Sequence, residues 1–314
     1  MDKSLFATRL NLNSIIQLFC AFVASGVACA DTYIQPPDDT DLIGSLQHIR
    51  AHENETLLDI ARNNDIGQKE IIIANPGVDR WLPKNSPVVI LPKRYILPDA
   101  NRSGLVLNLP EMRIYYFHQS KYTNIPQIIT HPVSVGRMDW ETPLGITKII
   151  SKQKDPSWRP PQSLKDEAIA EGDDPLPDVV LPGPDNPLGR YAMRLGIPGY
   201  LLHSTNKPYG VGMRVTHGCL RMYPEDIEQL FDDVPVGTPV QIVNQPVKLG
   251  WLSETLYIEV HPVLEENQEK TANDLQIILN MVSVYTADRP VKINVGALRL
   301  AVEKQDGIPV AISK

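Results

Sequence analysis

Tyr200-Leu201-Leu202-His203-Ser204, followed by Arg214-Val215-Thr216-His217-Gly218-Cys219-Leu220-Arg221, decides how this chain is read. It sets two of seven histidines beside one of only three cysteines. The other two, Cys20 and Cys29, fall in an N-terminal segment built like an export signal. Lys3 and Arg9 precede the apolar run 15–24, and Ala28-Cys29-Ala30 supplies a small-residue cleavage pattern. The run is too short to span a bilayer as an uncleaved anchor, and no later segment approaches the ~20 apolar residues a span needs. Gly26 fits a lipoprotein signal at Cys29 poorly. Residues 1–30 are therefore expected to be a signal peptide, and the exported protein to begin near Asp31. Cys219 is then the one remaining thiol. Exported proteins usually pair their cysteines, so an odd one is either an inert buried residue or a reactive nucleophile.

The neighbours of Cys219 favour reactivity. In an extended 215–220 segment, His217 and Cys219 project from the same face, because strand side chains alternate. An imidazole near a thiol lowers its pKa and favours the nucleophilic thiolate. Gly218 leaves backbone N–H groups open to a substrate, as an oxyanion hole requires. A cysteine with a positioned base is the minimum for acyl transfer through a thioester. The residues alone leave alternatives open. Cys219 fits a buried core thiol, and His203, His217 and Cys219 are legitimate zinc ligands, although the spacing offers no fourth. Adjacency favours His217 over His203 as base. The remaining five histidines read as structural or solvated.

The rest of the chain organises around this block. Its 314 residues, 42% hydrophobic and 21% charged, suffice for two or three folded units. A net charge of −7 without a basic run argues against nucleic acid as a partner. Twenty-eight prolines favour short strands and loops. Residues 31–44 read as an extended lead-in. Residues 45–92 read as strand, helix, helix, strand: Leu57, Ile60 and Ala61 share a helical face, a second helix runs from Gln68 to Ala74 and stops at Asn75-Pro76-Gly77, and Pro87 to Pro92 bound a strand. From 103 to 244 the texture is β, with a hairpin over 105–117, strands at 128–136 and 145–150, and one amphipathic helix at 224–231. A Pro-rich loop between Lys152 and Pro187 is long enough to suggest that it covers a binding site. Residues 245–314, with a strand at 256–260, helical spacing over 273–284 and 295–303, and a closing strand at 309–312, read as an accessory subdomain.

Two resemblances sharpen this plan. Thr56-Leu57-Leu58-Asp59-Ile60-Ala61, Ala74-Asn75-Pro76-Gly77 and Val88-Val89-Ile90-Leu91-Pro92 resemble a LysM module, which implies binding of N-acetylglucosamine-containing glycan. The bland alternative is a small packing domain without a ligand. His203-Ser204 with Thr216-His217-Gly218-Cys219-Leu220-Arg221 resembles the signature of the L,D-transpeptidases with a YkuD-type catalytic domain. Thr142-Pro143-Leu144-Gly145 and the run from Gly183 to Gly189 are similar to other parts of that family. The implied fold is α+β and mainly β: a β-sandwich-like, largely antiparallel catalytic domain, a small βααβ LysM-like module and a C-terminal accessory segment.

The resemblance also implies roles. Cys219 is the expected nucleophile, and His203 the base, oriented by the main-chain carbonyl of Ser204. His217 and Gly218 line the site, with the N–H groups of 217–219 offered to the oxyanion. Arg214, Thr216 and Arg221 are expected on the substrate side; Arg221 replaces the Asn of many members, as in the lipoprotein-linking group. The implied partners are peptidoglycan stem peptides and glycan, with a Braun-type lipoprotein as a candidate acceptor, in the periplasm, without cofactor or metal. A hydrolase using the same site and a non-catalytic wall-binding protein are the rival readings. A Cys-His peptidase of the NlpC/P60 type is disfavoured, because there the Cys precedes its His. The His-Gly-Cys order does not suit a sortase.

Overall fold

The computed structural model describes residues 31–86, 88–270 and 274–313. The signal-peptide reading of residues 1–30, with Cys20 and Cys29, lies outside them. Among the described residues, no helix is long and apolar enough to cross a membrane.

The central element is the ten-residue strand Gly145–Lys154. Its first half pairs with Pro239–Val243, from Gly145 opposite Ile242 to Lys148 opposite Pro239. Its second half pairs with Tyr191–Leu195, from Ser151 opposite Arg194 to Lys154 opposite Tyr191, after a register shift between Ile149 and Ser151. A bulge bends a strand and increases its local twist, and here it lets one sheet curl onto itself. That sheet has nine strands in the order 31–34, 126–132, 113–119, 104–108, 239–243, 145–154, 191–195, 201–203 and 220–221. Leu105, Leu107 and Ile114 from one half meet Met193, Leu202 and Leu220 from the other, and Ile227 and Leu230 of helix Pro224–Asp233 complete the core. The layered core of a sandwich thus forms within a single curled sheet. The fold is also less antiparallel than expected: 239–243 with 104–108 and 201–203 with 220–221 are parallel pairs within that sheet, and 214–216 with 135–136 forms a separate parallel pair.

Two segments depart from the sequence reading. The lead-in is not a free extension. Asp31–Ile34 forms the sheet edge against 126–132, and Leu42–Gly44 pairs with Arg94–Ile96. The backbone donors of an extended chain need acceptors, and the sheet edge provides them. The stretch 152–187 is not all loop, because Gln162–Glu171 is a helix ending on Gly172 in the left-handed conformation. Only Ala168 of that helix is buried, so it lacks the apolar stripe that would have announced it.

The 45–92 unit has the expected order. Gln47–Ile49 pairs antiparallel with Val89–Leu91 around helices Leu57–Asn63 and Gln68–Ala74. Thr56 and Asp59 form a reciprocal capping box at the first helix. Buried Asn75 ties the second helix to the strand by donating to Ile71 O and Ile90 O and accepting from Ile90 N. Residues 247–260 and 310–311 form a three-stranded sheet with helices Leu275–Tyr285 and Val295–Lys304, around a separate apolar core. Buried Lys248 fastens this unit to the nine-stranded sheet, with Nζ 2.9 Å from Glu111, 2.7 Å from Glu259 and 2.6 Å from Ile96 O.

The βααβ unit is joined to the nine-stranded sheet by charge. Arg113 of strand 113–119, 1% exposed, donates to Glu70 at 2.8 Å and to Asp65 O at 3.0 Å. Buried His131 sets Nδ1 3.2 Å from Asp65 Oδ2 and 3.6 Å from Asp226 Oδ2. Burial opposes the charged His131 ring, but Asp65 and then Asp226 outweigh it and raise the pKa to about 10. Burial and the Asp65 charge push Asp226 up to about 8. Both groups therefore hold protons in the folded protein that the unfolded chain has released, Asp226 from its ordinary carboxylate range up to about pH 8 and His131 from about 6.5 to about 10. Where the native state binds more protons, stability falls as pH rises. We expect the melting temperature to drop steadily from pH 6 to pH 9, and the slope to flatten in Asp226→Asn; differential scanning fluorimetry across that range is the check.

Candidate active site

The site is set by the Thr216–Cys219 turn, between strands Arg214–Thr216 and Leu220–Arg221. The expected extended 215–220 segment is not formed, because Gly218 takes φ 92°. A side chain there would be strained, and its Cβ would lie 2.7 Å from Cε1 of Tyr200. The turn is clasped twice. Thr216 Oγ1 donates to Cys219 O at 2.6 Å, and Thr142 Oγ1 donates to Gly218 O at 3.0 Å while accepting from Gly136 N. In a trans peptide, C=O and the next N–H point in opposite directions, so Thr142 turns the Cys219 N–H away from itself. Among the described residues, the N–H groups of 217–219 donate to no backbone acceptor outside the regular elements. They are free to receive a developing negative charge.

The break in alternation separates the two histidines. His217 turns to Glu167 of helix 162–171, with Nε2 2.7 Å from Oε2, and packs edge-on against Trp140 at 5.3 Å between ring centres. The other Glu167 oxygen binds Arg137. His203 is 5% exposed, and its Nδ1 donates to Ser204 O at 2.5 Å, the carbonyl expected to orient it. In a neutral ring this leaves Nε2 as the basic nitrogen. Burial first and the Arg221 charge second depress its pKa to about 4, so the ring is neutral at pH 7.

Cys219 is half-buried, and its Sγ rests 3.6 Å from Gly199 O. No hydrogen bond joins it to either imidazole among the described residues. In the parallel pair Leu202 lies opposite Leu220 and His203 opposite Arg221, so His203 is diagonal to Cys219 on the same face. The expected lowering of the thiol pKa is not found: burial raises it, against smaller favourable effects of the Leu201 amide, Arg221 and Arg194. A protonated thiol beside a neutral buried imidazole can pass its proton during attack, rather than starting as an ion pair. The zinc alternative fails on geometry. Among the described residues, the groups whose ligand atoms converge are Asp65, His131, Asp226 and Glu111, Glu259, His261, not His203, His217 and Cys219.

The substrate-side expectations divide. Arg221 is largely buried, its Nε has no partner, and burial lowers its pKa, which is the condition of a cation awaiting an anion. Arg214 is a correction. Its guanidinium is spent on a two-bond pair with Glu266 at 2.7 and 3.0 Å and on Gly136 O, tying the C-terminal unit to the active-site strand. Thr216, 2% exposed, serves the turn instead of a ligand. Glu167 and Trp140 carry no sequence signal, since neither sits in a periodic pattern or beside the cysteine, and Tyr200, though in the deciding stretch, shows no role until the fold sets its ring against Gly218. The βααβ unit also reaches this region: Gln68 N and Lys69 N donate to Val211 O and Gly212 O, in the loop leading to the turn.

The family model of the L,D-transpeptidase catalytic domain, YkuD, matches residues 102–242, the whole span of this site. The probable L,D-transpeptidase YbiS of Escherichia coli K12 is 38% identical over 316 residues, covering 99% of this chain and 98% of its own length. The probable L,D-transpeptidase ErfK/SrfK of the same organism is 35% identical over 306 residues, covering 95% and 97%. The putative L,D-transpeptidase YkuD of Bacillus subtilis is 27% identical over 199 residues, covering 60% of this chain and 94% of its own. With both E. coli proteins aligned along nearly their entire length, and the catalytic-domain match enclosing the Cys219 turn, this chain belongs to the L,D-transpeptidase family.

Proposed function

We propose that the protein is an exported, cysteine-dependent peptidoglycan L,D-transpeptidase. Cys219 Sγ attacks the carbonyl of the diaminopimelate residue in a tetrapeptide stem. The C–S bond forms and the C–N bond to terminal D-Ala breaks. The thiol proton passes to His203 Nε2 and on to the departing amine. An amine acceptor, the Lys of a lipoprotein or a diaminopimelate of a second stem, then attacks the thioester, and its proton returns to sulfur by the same imidazole. The tetrahedral oxyanion sits against the N–H groups of 217–219. Rotation of the Cys219 side chain away from Gly199 O is the motion this reading requires. His217 is a wall of the site held by Glu167, and Arg221 meets a substrate carboxylate. The observation that carries the reading is the clasped Cys219 turn with free N–H groups beside a neutral, carbonyl-oriented imidazole. The 45–92 unit, by its βααβ order and Asn75 staple, is read as a LysM-type glycan-binding module.

Incubating the protein with tetrapeptide muropeptide and an amine acceptor tests this. The expected products are free D-Ala and a new amide adduct; free tripeptide in place of the adduct would mean hydrolysis. Intact-protein mass after meropenem should show a stoichiometric adduct that Cys219→Ala lacks, and full complementation of a deletion strain by Cys219→Ala would leave only the wall-binding reading.

The charges set the pH profile. Since kcat/KM requires His203 neutral, it should lose activity only as pH falls toward about 4. Arg221 helps hold that pKa down, so Arg221→Gln should move the acid limb upward, whatever it does to the plateau. A limb that stays in place would detach Arg221 from His203.

A further inference from the structure

The ladders leading away from the thiol define one continuous face. Ser151 lies opposite Arg194 and Arg194 opposite Leu201, and one register before the Leu202–Leu220 pair Leu201 lies beside Cys219. The next row runs Gln153, Ala192, His203, Arg221. Directly paired residues project to the same side of a sheet. The opposite face carries Met193, Leu202 and Leu220 and belongs to the core. On the site face, a recess of about 50 Å³ is lined by Ser151, Gln153, Ser157, Ala192, Arg194 and Leu201 among others, with no carboxylate in its wall. The exposed Arg194 side chain makes no hydrogen bond or ion pair among the described residues, whereas Arg190 on the same approach pairs with Asp155 at 3.4 Å. The site face therefore holds two unpaired guanidiniums, Arg221 and Arg194, in adjacent rows on either side of the thiol–imidazole diagonal. Arg194 is near enough to favour the ionised sulfur.

We propose that Arg194 and this recess form a carboxylate subsite that takes the distal, side-chain carboxylate of the diaminopimelate being acylated, with Ser151, Gln153 and Ser157 receiving its amine. This rests on the donor assignment above. Reach separates the two carboxylates of the donor. Cys219 and Arg194 stand two strand spacings apart, about 10 Å between backbones. The diaminopimelate side chain extends five carbon–carbon bonds, about 6–7 Å, beyond the α-carbon of the attacked residue, and an arginine side chain closes the remainder. The carboxylate of the departing D-Ala stays next to the scissile bond, within reach of Arg221 instead. The recess has about the volume of one carboxylate group, and a guanidinium fork matches a carboxylate bidentately. Arg194 is thus a specificity-determining residue that selects diaminopimelate over a side chain ending in an amine alone.

The test is binding of the donor to Cys219→Ala protein, which does not depend on turnover. The probes are the diaminopimelate tetrapeptide and the same peptide amidated at its side-chain carboxylate, measured by calorimetry. We expect Arg194→Ala to weaken the acid form roughly 10-fold, the usual size for a lost hydrogen bond to a charged group, and to leave the amide form unchanged. Arg194→Lys should restore part of the loss. An equal effect of Arg194→Ala on both peptides, no effect on either, or failure of the acid form to bind at all would overturn the subsite. Failure of the donor assignment itself would show separately, as absence of D-Ala release by the unmutated protein.

Discussion

The left-handed backbone at Gly218 is the constraint on which the site depends. The Tyr200 ring occupies the space a Cβ would need, and Thr142 and Thr216 hold the two flanking carbonyls. With the Gly218 carbonyl fixed, the direction of the Cys219 N–H is fixed as well, because the peptide unit is rigid and planar. The same turn interrupts strand alternation. It sends His217 to Glu167 and sets Cys219 at the start of the strand that pairs beside His203. One backbone torsion thus determines which imidazole shares a face with the sulfur.

The electrostatics follow from that placement. Burial and the Arg221 charge keep the His203 imidazole neutral, and burial keeps the half-buried Cys219 thiol protonated. A largely buried, unpaired cation such as Arg221 is costly unless an anion completes it. The substrate proposed here brings carboxylates, so its binding relieves that cost and aligns the reacting carbonyl together. The insert that carries Glu167 walls the site through polar contacts instead of an apolar stripe, which is why its helix buries little.

Much of the architecture was legible from local pattern. The hairpin over 104–119, helix 224–233, the βααβ unit and the C-terminal helices follow from apolar periodicity and from Pro and Gly punctuation, and each appears within a few residues of its expected bounds. Residues whose role comes from a distant partner were not legible. Arg214 looks like a substrate-facing cation beside the cysteine, but Glu266, fifty-two residues away, neutralises it. Helix 162–171 has no apolar face to announce it, and residues 31–34 look unstructured until a sheet edge supplies acceptors.

By itself the sequence determined the chemical inventory: a single thiol after residue 30, a glycine before it, two candidate histidines near it, and the order of the folded units. Those are properties of residue identity and short-range spacing. Only the tertiary structure decided that His203 and not His217 shares the sulfur's face, that the thiol rests protonated, and which arginines remain unpaired. Register between strands and burial of charge are set by contacts between residues far apart in the chain, and no local window contains them.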